Sequence, residues 1–406
     1  MQWRKELGSS LTQSYDKVLA FSLILLFTSL VFNRSAAFIM IGAVVAFVSF
    51  SLIYDRLIGK GLTFQNEKHA YKMFPGDRIE VPLSFENQSR LPIINGRFQF
   101  KVGSEVQGEK YVVSQGDEWT RYEVPLTVVE RGKTEWYVPF EARRRGVTIL
   151  RDIHYSFPHL LNFHEIFLYY LPFHRLEFIV YPEPLPVYGI EERNHMTLGS
   201  QQARLSPFED PVSPMGTRDY TSSDPFHRIH WKASARKQTL QTKVLEKNWD
   251  HTWSIVINLT DPSPGGHLNV ASNIEALLSY AAYMCQLATK KGYPFELYIN
   301  ARKIGTPPFY YLPEGNGKEH LQKALEFIAR IKARELVISF SVVLHRFDQQ
   351  LYKPKTVFLL GSQSEEVRRY AHKWSRQKFR VYAVQDQGDF ATLQDPLEKE
   401  GVYGQS

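Results

Sequence analysis

"WSIVINLTDPSPGGHLNVASNIEALLSYAAYMCQLATKKG", residues 253–292, decides the C-terminal architecture. The opening run WSIVINL is apolar nearly throughout, as a strand covered on both faces requires. A proline- and glycine-rich loop follows, and then a helical stretch that Gly292 ends. The same alternation continues downstream. "PFELYIN", "KTVFLLG" and "FRVYAVQ" read as strands, and "KEHLQKALEFIARIKA" and "SEEVRRYAHKWSRQ" read as helices. Residues 250–406 are therefore expected to form a Rossmann-like α/β domain, a parallel sheet with helices on both faces.

Upstream, over residues 61–185, the period is two. Ile79, Val81, Leu83 and Phe85 alternate with polar residues, as do Phe98, Phe100 and Val102, then Tyr122, Val124, Leu126 and Val128, then Trp136, Val138 and Phe140. Such alternation between turn residues predicts a β-sandwich-like domain with one face of each sheet buried. The Pro- and Gly-rich "VYPEPLPVYG" closes it. Residues 186–249 follow as a connector, of which "EERNHMTLGSQQARLSPFEDPVSPMG" reads as irregular.

At the other end, residues 18–32 and 36–54 carry no charge and are separated only by Asn33, Arg34 and Ser35. Each run suits a bilayer core of about 30 Å, the first with help from its polar flank. After residues 1–17, a two-helix transmembrane hairpin over 18–60 is expected. Arg4, Lys5 and Lys17 before it and Arg56 and Lys60 after it outweigh Arg34 in the loop, which puts both ends and the soluble domains in the cytoplasm. A cleaved signal peptide ending near Ser35–Ala37 is the rival reading, and the second apolar run argues against it.

Composition narrows the function. The net charge of +7 is spread along the 406 residues rather than gathered in a tail, so an anionic membrane or an acidic partner suits it as well as nucleic acid does. A single cysteine, Cys285, excludes an internal disulfide and Cys-rich zinc patterns. It sits in an apolar helical stretch, where a structural thiol is expected. Phosphate-binding glycine loops of either standard spacing are absent from the sequence.

The densest chemistry lies in "GTRDYTSSDPFHRIHWKASARKQ", residues 216–238. Residues 216–247 hold seven Lys or Arg against three acids. Asp224 and Pro225 read as a helix start, with a helix over about 225–237. On that helix Phe226, Ile229 and Ala233 would share one face, and Arg228, Lys232 and Arg236 a basic stripe on another. Three uses compete: protein docking, an acid–base or metal-dependent enzyme using Asp219, Asp224 and His230, and nucleic-acid binding by the cationic helix. His227 and His230 lack a nearby Glu to complete a zinc arrangement.

The stretch resembles the signature of the bacterial DUF 58 family. Gly216, Arg218, Tyr220, Asp224, Arg228, Ile229, His230, Trp231, Ala235, Arg236 and Leu240 fall on the pattern, with Ser223 where a glycine is usual. "RRRGVTILRDIHYSFPHLLNF" is similar to a second family segment, with Ser156, Phe157, Pro158 and His159 in place of its usual continuation. The resemblance implies a membrane hairpin, a β domain and a von Willebrand factor type A-like domain in this order. It also implies MoxR-type AAA+ ATPases and transglutaminase-like membrane proteins as partners, and no catalytic activity. Nucleic acid is not an expected partner. A type A fold often holds a divalent cation through Asp-x-Ser-x-Ser. Here Asp261 and Ser263 are followed by Gly265, so a magnesium site would lack an oxygen ligand. The expectation is a membrane-anchored adaptor whose docking residues are Gly216, Arg218, Asp219, Tyr220, Asp224, Arg228, His230, Trp231, Lys232 and Arg236.

Overall fold

The computed structural model describes residues 2–7, 17, 20–24, 27, 35–65, 69–160, 164–172, 176–190, 209–247, 252–261, 268–332, 336–353 and 355–396. The chain is a mixed α/β protein that divides into two compact units, Met1–Tyr181 and Pro182–Ser406.

The first unit contains strand β1 (Trp3–Leu7), helix α1 (Ser35–Leu57) and the strands β2 (Arg78–Asn87), β3 (Ile93–Gly103), β4 (Trp119–Val128), β5 (Gly132–Ala142), β6 (Arg151–Pro158) and β7 (Glu165–Tyr170). One six-stranded antiparallel sheet runs β1-β7-β6-β3-β4 and ends on the short edge strand Val112–Gln115. A four-stranded sheet places β2 and β5 between Leu62–Phe64 and Val106–Gln107. The period-two residues point where the sequence indicates: Val81, Leu83, Phe85, Phe98, Phe100, Val102, Tyr122, Val124, Val138 and Phe140 are buried in one shared core.

Helix α1 is 23 residues long, about 34 Å at the helical rise. Its Ile39–Leu57 part has a mean hydropathy of 1.6 and is long and apolar enough to cross a membrane. The first apolar run, 18–32, falls largely outside the described residues, with 20–24 and Phe27 helical. Strand β1 is a feature the sequence reading missed, because WRKEL is too short and too charged to show a period. It pairs in register with β7 from Trp3↔Tyr170 to Leu7↔Ile166. Buried Trp3 packs edge-on against Tyr170 at 5.1 Å. Lys5 Nζ donates to the carbonyls of Asp55 (2.5 Å) and Ile58 (3.3 Å), which ties the strand to the end of α1.

The second unit contains β8 (Glu209–Asp219), α2 (Trp231–Lys237), β9 (Gln241–Lys247), β10 (Trp253–Ile257), α3 (Ile274–Lys291), β11 (Phe295–Arg302), β12 (Phe309–Gly315), α4 (Gly317–Ala329), α5 (Phe340–Gln350), β13 (Thr356–Leu360), α6 (Glu365–Arg376), β14 (Arg380–Asp386) and β15 (Ala391–Gln394). A seven-stranded sheet runs from Val187–Tyr188 through β15-β14-β13-β10-β11-β12. Strands β14, β13, β10 and β11 are parallel, flanked by antiparallel β12 and β15. All five residues of β10 are buried, as an unbroken apolar run in a central strand should be. Helices α5 and α6 cover the face bearing Val256, Tyr298, Val357 and Leu359. Helix α3 ends where the sequence says, on left-handed Gly292 (φ 74°).

At the strand-start end of this sheet two charges are buried together. Lys355 Nζ lies 3.1 Å from Glu296 Oε1 and 3.0 Å from Glu314 Oε2, with the Lys355 and Glu296 side chains each 4% exposed. Ser254 Oγ donates to Glu296 at 2.6 Å. Each buried charge thus has a partner and a further hydrogen bond, the condition for tolerating it.

Candidate functional site: the signature hairpin

Residues 209–215 do not form the irregular connector that the sequence suggests. They lie within β8, which pairs antiparallel with β9 (Gly216↔Val244, Arg218↔Thr242, Asp219↔Gln241) through two register shifts. Prolines 211 and 214 hid this strand, since they are tolerated only in edge or bulged strands and β8 is both.

The connection between the strands is stapled by side chains. Asp224 receives both terminal nitrogens of Arg218 (2.7 and 2.5 Å), the backbone amide and hydroxyl of Thr221 (3.0 Å each) and the Thr242 hydroxyl (3.2 Å). The Arg218 guanidinium, with the Thr221 amide next, holds this carboxyl well below the usual carboxylate range. Asp219 Oδ1 accepts from Gln241 Nε2 at 2.6 Å, and the Gln241 amide donates to buried Ser234 Oγ at 2.8 Å. The Tyr220 amide donates to the Leu240 carbonyl and the His230 amide to the Gln241 carbonyl, both at 2.8 Å.

A single helix over 225–237 does not form. Phe226–Arg228 is one 3-10 turn, Ile229 is extended (ψ 129°) and bridges Thr242, and α2 begins at Trp231. Asp224 is turned back onto Arg218 and cannot cap forward, so capping passes to His230, whose Nδ1 accepts from the Ala233 amide at 3.1 Å. The shared face of Phe226, Ile229 and Ala233 is likewise overturned. Ile229 is 2% exposed, whereas Phe226 is 69% exposed and stacks edge-on against Trp231, itself 62% exposed, at 5.9 Å. The basic stripe shortens too. Lys232 and Arg236 are exposed one turn apart on α2, beside Lys237, while Arg228 is half-buried in the 3-10 turn.

Asp219, Asp224 and His230, the acid–base candidates, are thus each engaged by a different local partner: Gln241, Arg218 with two threonines, and the amide of Ala233. What the element exposes is the aromatic pair Phe226 and Trp231 and, along α2, Lys232, Arg236 and Lys237.

The other place where an α/β sheet positions chemistry is the carboxyl end of its strands at the switch in strand order. That point follows β10, because β11 and β13 lie on its two sides. Buried Asn258 and Asn300 meet there. Asn258 Oδ1 accepts from Asn300 Nδ2 (3.2 Å), the Thr260 amide (3.1 Å) and the Thr260 hydroxyl (2.6 Å), and Asn258 Nδ2 donates to the Ser362 carbonyl (3.1 Å). Asn300 Oδ1 accepts from the Leu259 amide at 2.7 Å. Gly361 (φ 93°) lies so close to Asn258 that a Cβ would stand 2.1 Å from its carbonyl oxygen, so only glycine fits. The sequence reading overlooked this pair, because two single Asn residues 42 positions apart carry no motif.

Of the magnesium candidates, Asp261 Oδ2 accepts from the Ser272 amide (2.9 Å) and hydroxyl (3.3 Å), and Ser263 lies outside the described residues. Among the described residues no group of three His, Cys, Asp or Glu could hold a metal. The switch-point network is built of neutral amides and hydroxyls, a poor shell for a hard divalent cation. Cys285 is fully buried, and burial pushes its thiol far up.

Residues 216–392, a little under half of the chain, match the model of the family described as "Protein of unknown function DUF58". The comparison with curated proteins gave no match. Among solved structures, a Corynebacterium diphtheriae protein with a membrane-anchored designation aligns at 10% identity and TM-score 0.21, over 31% of this chain and 33% of that one. This chain therefore spans about a third of that protein's length. A non-cellulosomal cohesin from Archaeoglobus fulgidus aligns at 14% identity and TM-score 0.17, over 31% of this chain and 92% of its own. The secreted serine protease VesC from Vibrio cholerae aligns at 14% identity and TM-score 0.19, over 34% and 28%. Scores this low carry no argument about fold or function.

Proposed function

Because residues 216–392 make the chain a member of the DUF58 family, we propose that it is a membrane-anchored, non-enzymatic adaptor that docks protein partners through the signature hairpin. The observation that carries this is the exposed pair Phe226 and Trp231, next to a hydrogen-bonded staple at Asp224 and on the same short segment as exposed Lys232, Arg236 and Lys237. Exposed aromatics and arginine are enriched in interface cores, and lysines belong to the polar rim around them. An acidic partner with an apolar cleft complements them. By the family resemblance, a MoxR-type AAA+ ATPase fills that role, with a transglutaminase-like membrane protein as a second associate.

The membrane anchor has its own support. Strand β1 precedes both apolar runs yet pairs with β7, which follows them. If α1 crosses a bilayer, the chain between β1 and α1 must cross it in the other direction, because an odd number of crossings would separate β1 from its own sheet. A hairpin with both ends in the cytoplasm of a bacterial cell is the reading that meets this condition and the charge bias together. The 2-1-3-4 order of the parallel strands suits a von Willebrand factor type A-like domain.

The test is photocrosslinking in native membranes from a photoreactive side chain placed at residue 226. The adaptor reading expects an adduct with an AAA+ ATPase. Adducts confined to lipid or to the chain itself would sink it.

A further inference from the structure

Three cations stand side by side on the outer face of the six-stranded sheet. Lys101 on β3 is directly opposite Arg121 on β4 and directly opposite Arg151 on β6, so the row runs Arg151–Lys101–Arg121 across three adjacent strands. Directly opposed side chains on neighbouring strands have Cβ atoms about 5 Å apart, and like charges there are destabilising. Elsewhere on this face the signs are matched: Arg97 meets Glu165 and Glu123, and Gln99 lies between Glu123 and His154. The cationic row is a local exception.

Its compensation is partial. Asp152 lies 2.7 Å from Lys101 and is 64% exposed. Arg151 lies over the Trp119 ring at 4.6 Å. Arg121 makes no ion pair among the described residues. The ladder is also broken here. A bulge falls between Arg151 and His154, and Asp152 in it adopts a left-handed conformation (φ 50°) that is costly for a residue other than glycine. The bulge borders a depression of about 450 Å³, lined by Lys101, Arg121, Asp152, His154 and Tyr169.

We propose that this depression binds a small phosphate-bearing anion, with Lys101 and Arg121 on its phosphate oxygens and Asp152 accepting from a hydroxyl of the ligand. A dianion between Lys101 and Arg121 turns a repulsive pair into two charge-assisted hydrogen-bonding groups. Asp152, already beside Lys101, selects ligands that bring a donor next to the phosphate. Two sources share this chemistry, a free phosphomonoester and a phospholipid headgroup.

The full chain in phosphatidylcholine nanodiscs is melted with increasing glycerol 3-phosphate, and in parallel in nanodiscs containing lysophosphatidic acid, whose glycerol keeps a free hydroxyl beside its phosphomonoester. A saturable rise of the melting midpoint in the first arm assigns a free phosphoester. A rise in the second arm alone assigns a headgroup. In either case the apparent affinity must fall by about ten-fold or more in Lys101→Gln/Arg121→Gln. The Arg121→Gln single variant's own midpoint, without phosphate, must equal or exceed the wild type, because it removes one of two opposed like charges and leaves the Lys101–Asp152 pair intact. No saturable shift in either arm, or an undiminished response of a folded variant, overturns the site.

Discussion

Replacing Ile229 with alanine isolates the docking element from the rest of the second unit. Ile229 is 2% exposed and sits at the break between the 3-10 turn and α2, with its backbone bridged to Thr242. Its amide donates to the Phe226 carbonyl at 3.2 Å. Alanine removes about three buried carbon groups, each contributing about 0.8 kcal/mol, and leaves a cavity, so a loss of about 2–4 kcal/mol is expected. Since every 1.4 kcal/mol is about ten-fold, the open state of the hairpin becomes about 30- to 700-fold more populated. Hydrogen exchange reads this at the amides of Tyr220 and His230, which donate to Leu240 and Gln241 across the hairpin. Those two should exchange faster by that factor, while amides of β10 and β13 keep wild-type protection. Unchanged exchange at Tyr220 and His230, or equal acceleration in β10 and β13, would refute the assignment of Ile229 as the local anchor.

Glu296→Ala strips buried Lys355 of one of its two carboxylates and should cost about 3–5 kcal/mol in denaturant unfolding, whereas exposed Lys133→Ala should leave the unfolding midpoint unchanged. Cys285 is buried with its thiol pushed up, so alkylation at pH 8 should fail in the native chain and go to completion in denaturant; rapid native labelling would place the thiol elsewhere. Asp224 has a folded-state pKa below its unfolded value, so its contribution is complete above the ordinary carboxylate range and is lost as pH falls through and below that range. Protease sensitivity at the 216–240 element should accordingly rise below about pH 4 in wild type, and Asp224→Asn should show that sensitivity already at pH 7.

The β-rich part was legible because alternation over ten-residue strands such as Arg78–Asn87 and Trp119–Val128 directly encodes one buried face. The strand–helix alternation after Trp253 was legible for the same kind of reason, a continuous apolar strand followed by a capped helix. Helix α5 and strand β12 were missed. SFSVVLHRFDQQ, residues 339–350, holds β-branched and aromatic residues that mask its helical face, and FYYLPEG, residues 309–315, carries a proline. In the candidate site the local geometry was not legible. Local capping logic assigned Asp224 to the helix ahead of it, while the fold turns it back onto Arg218 and Thr242, partners 6 and 18 positions away. The Arg151–Lys101–Arg121 row was invisible for a related reason: only strand register brings residues from three strands together.

Docking is tested most directly by measuring how the full chain in nanodiscs binds a purified MoxR-type ATPase at physiological salt, wild type against K232E/R236E. Both positions are exposed on α2, so reversal should shift stability by no more than about 1 kcal/mol, through the helix dipole and surface pairing. The adaptor reading predicts a Kd weakened by about five-fold or more, with the wild-type interaction weakening further as salt rises. An unchanged Kd in the folded variant would contradict it and leave the cluster as a solvated face.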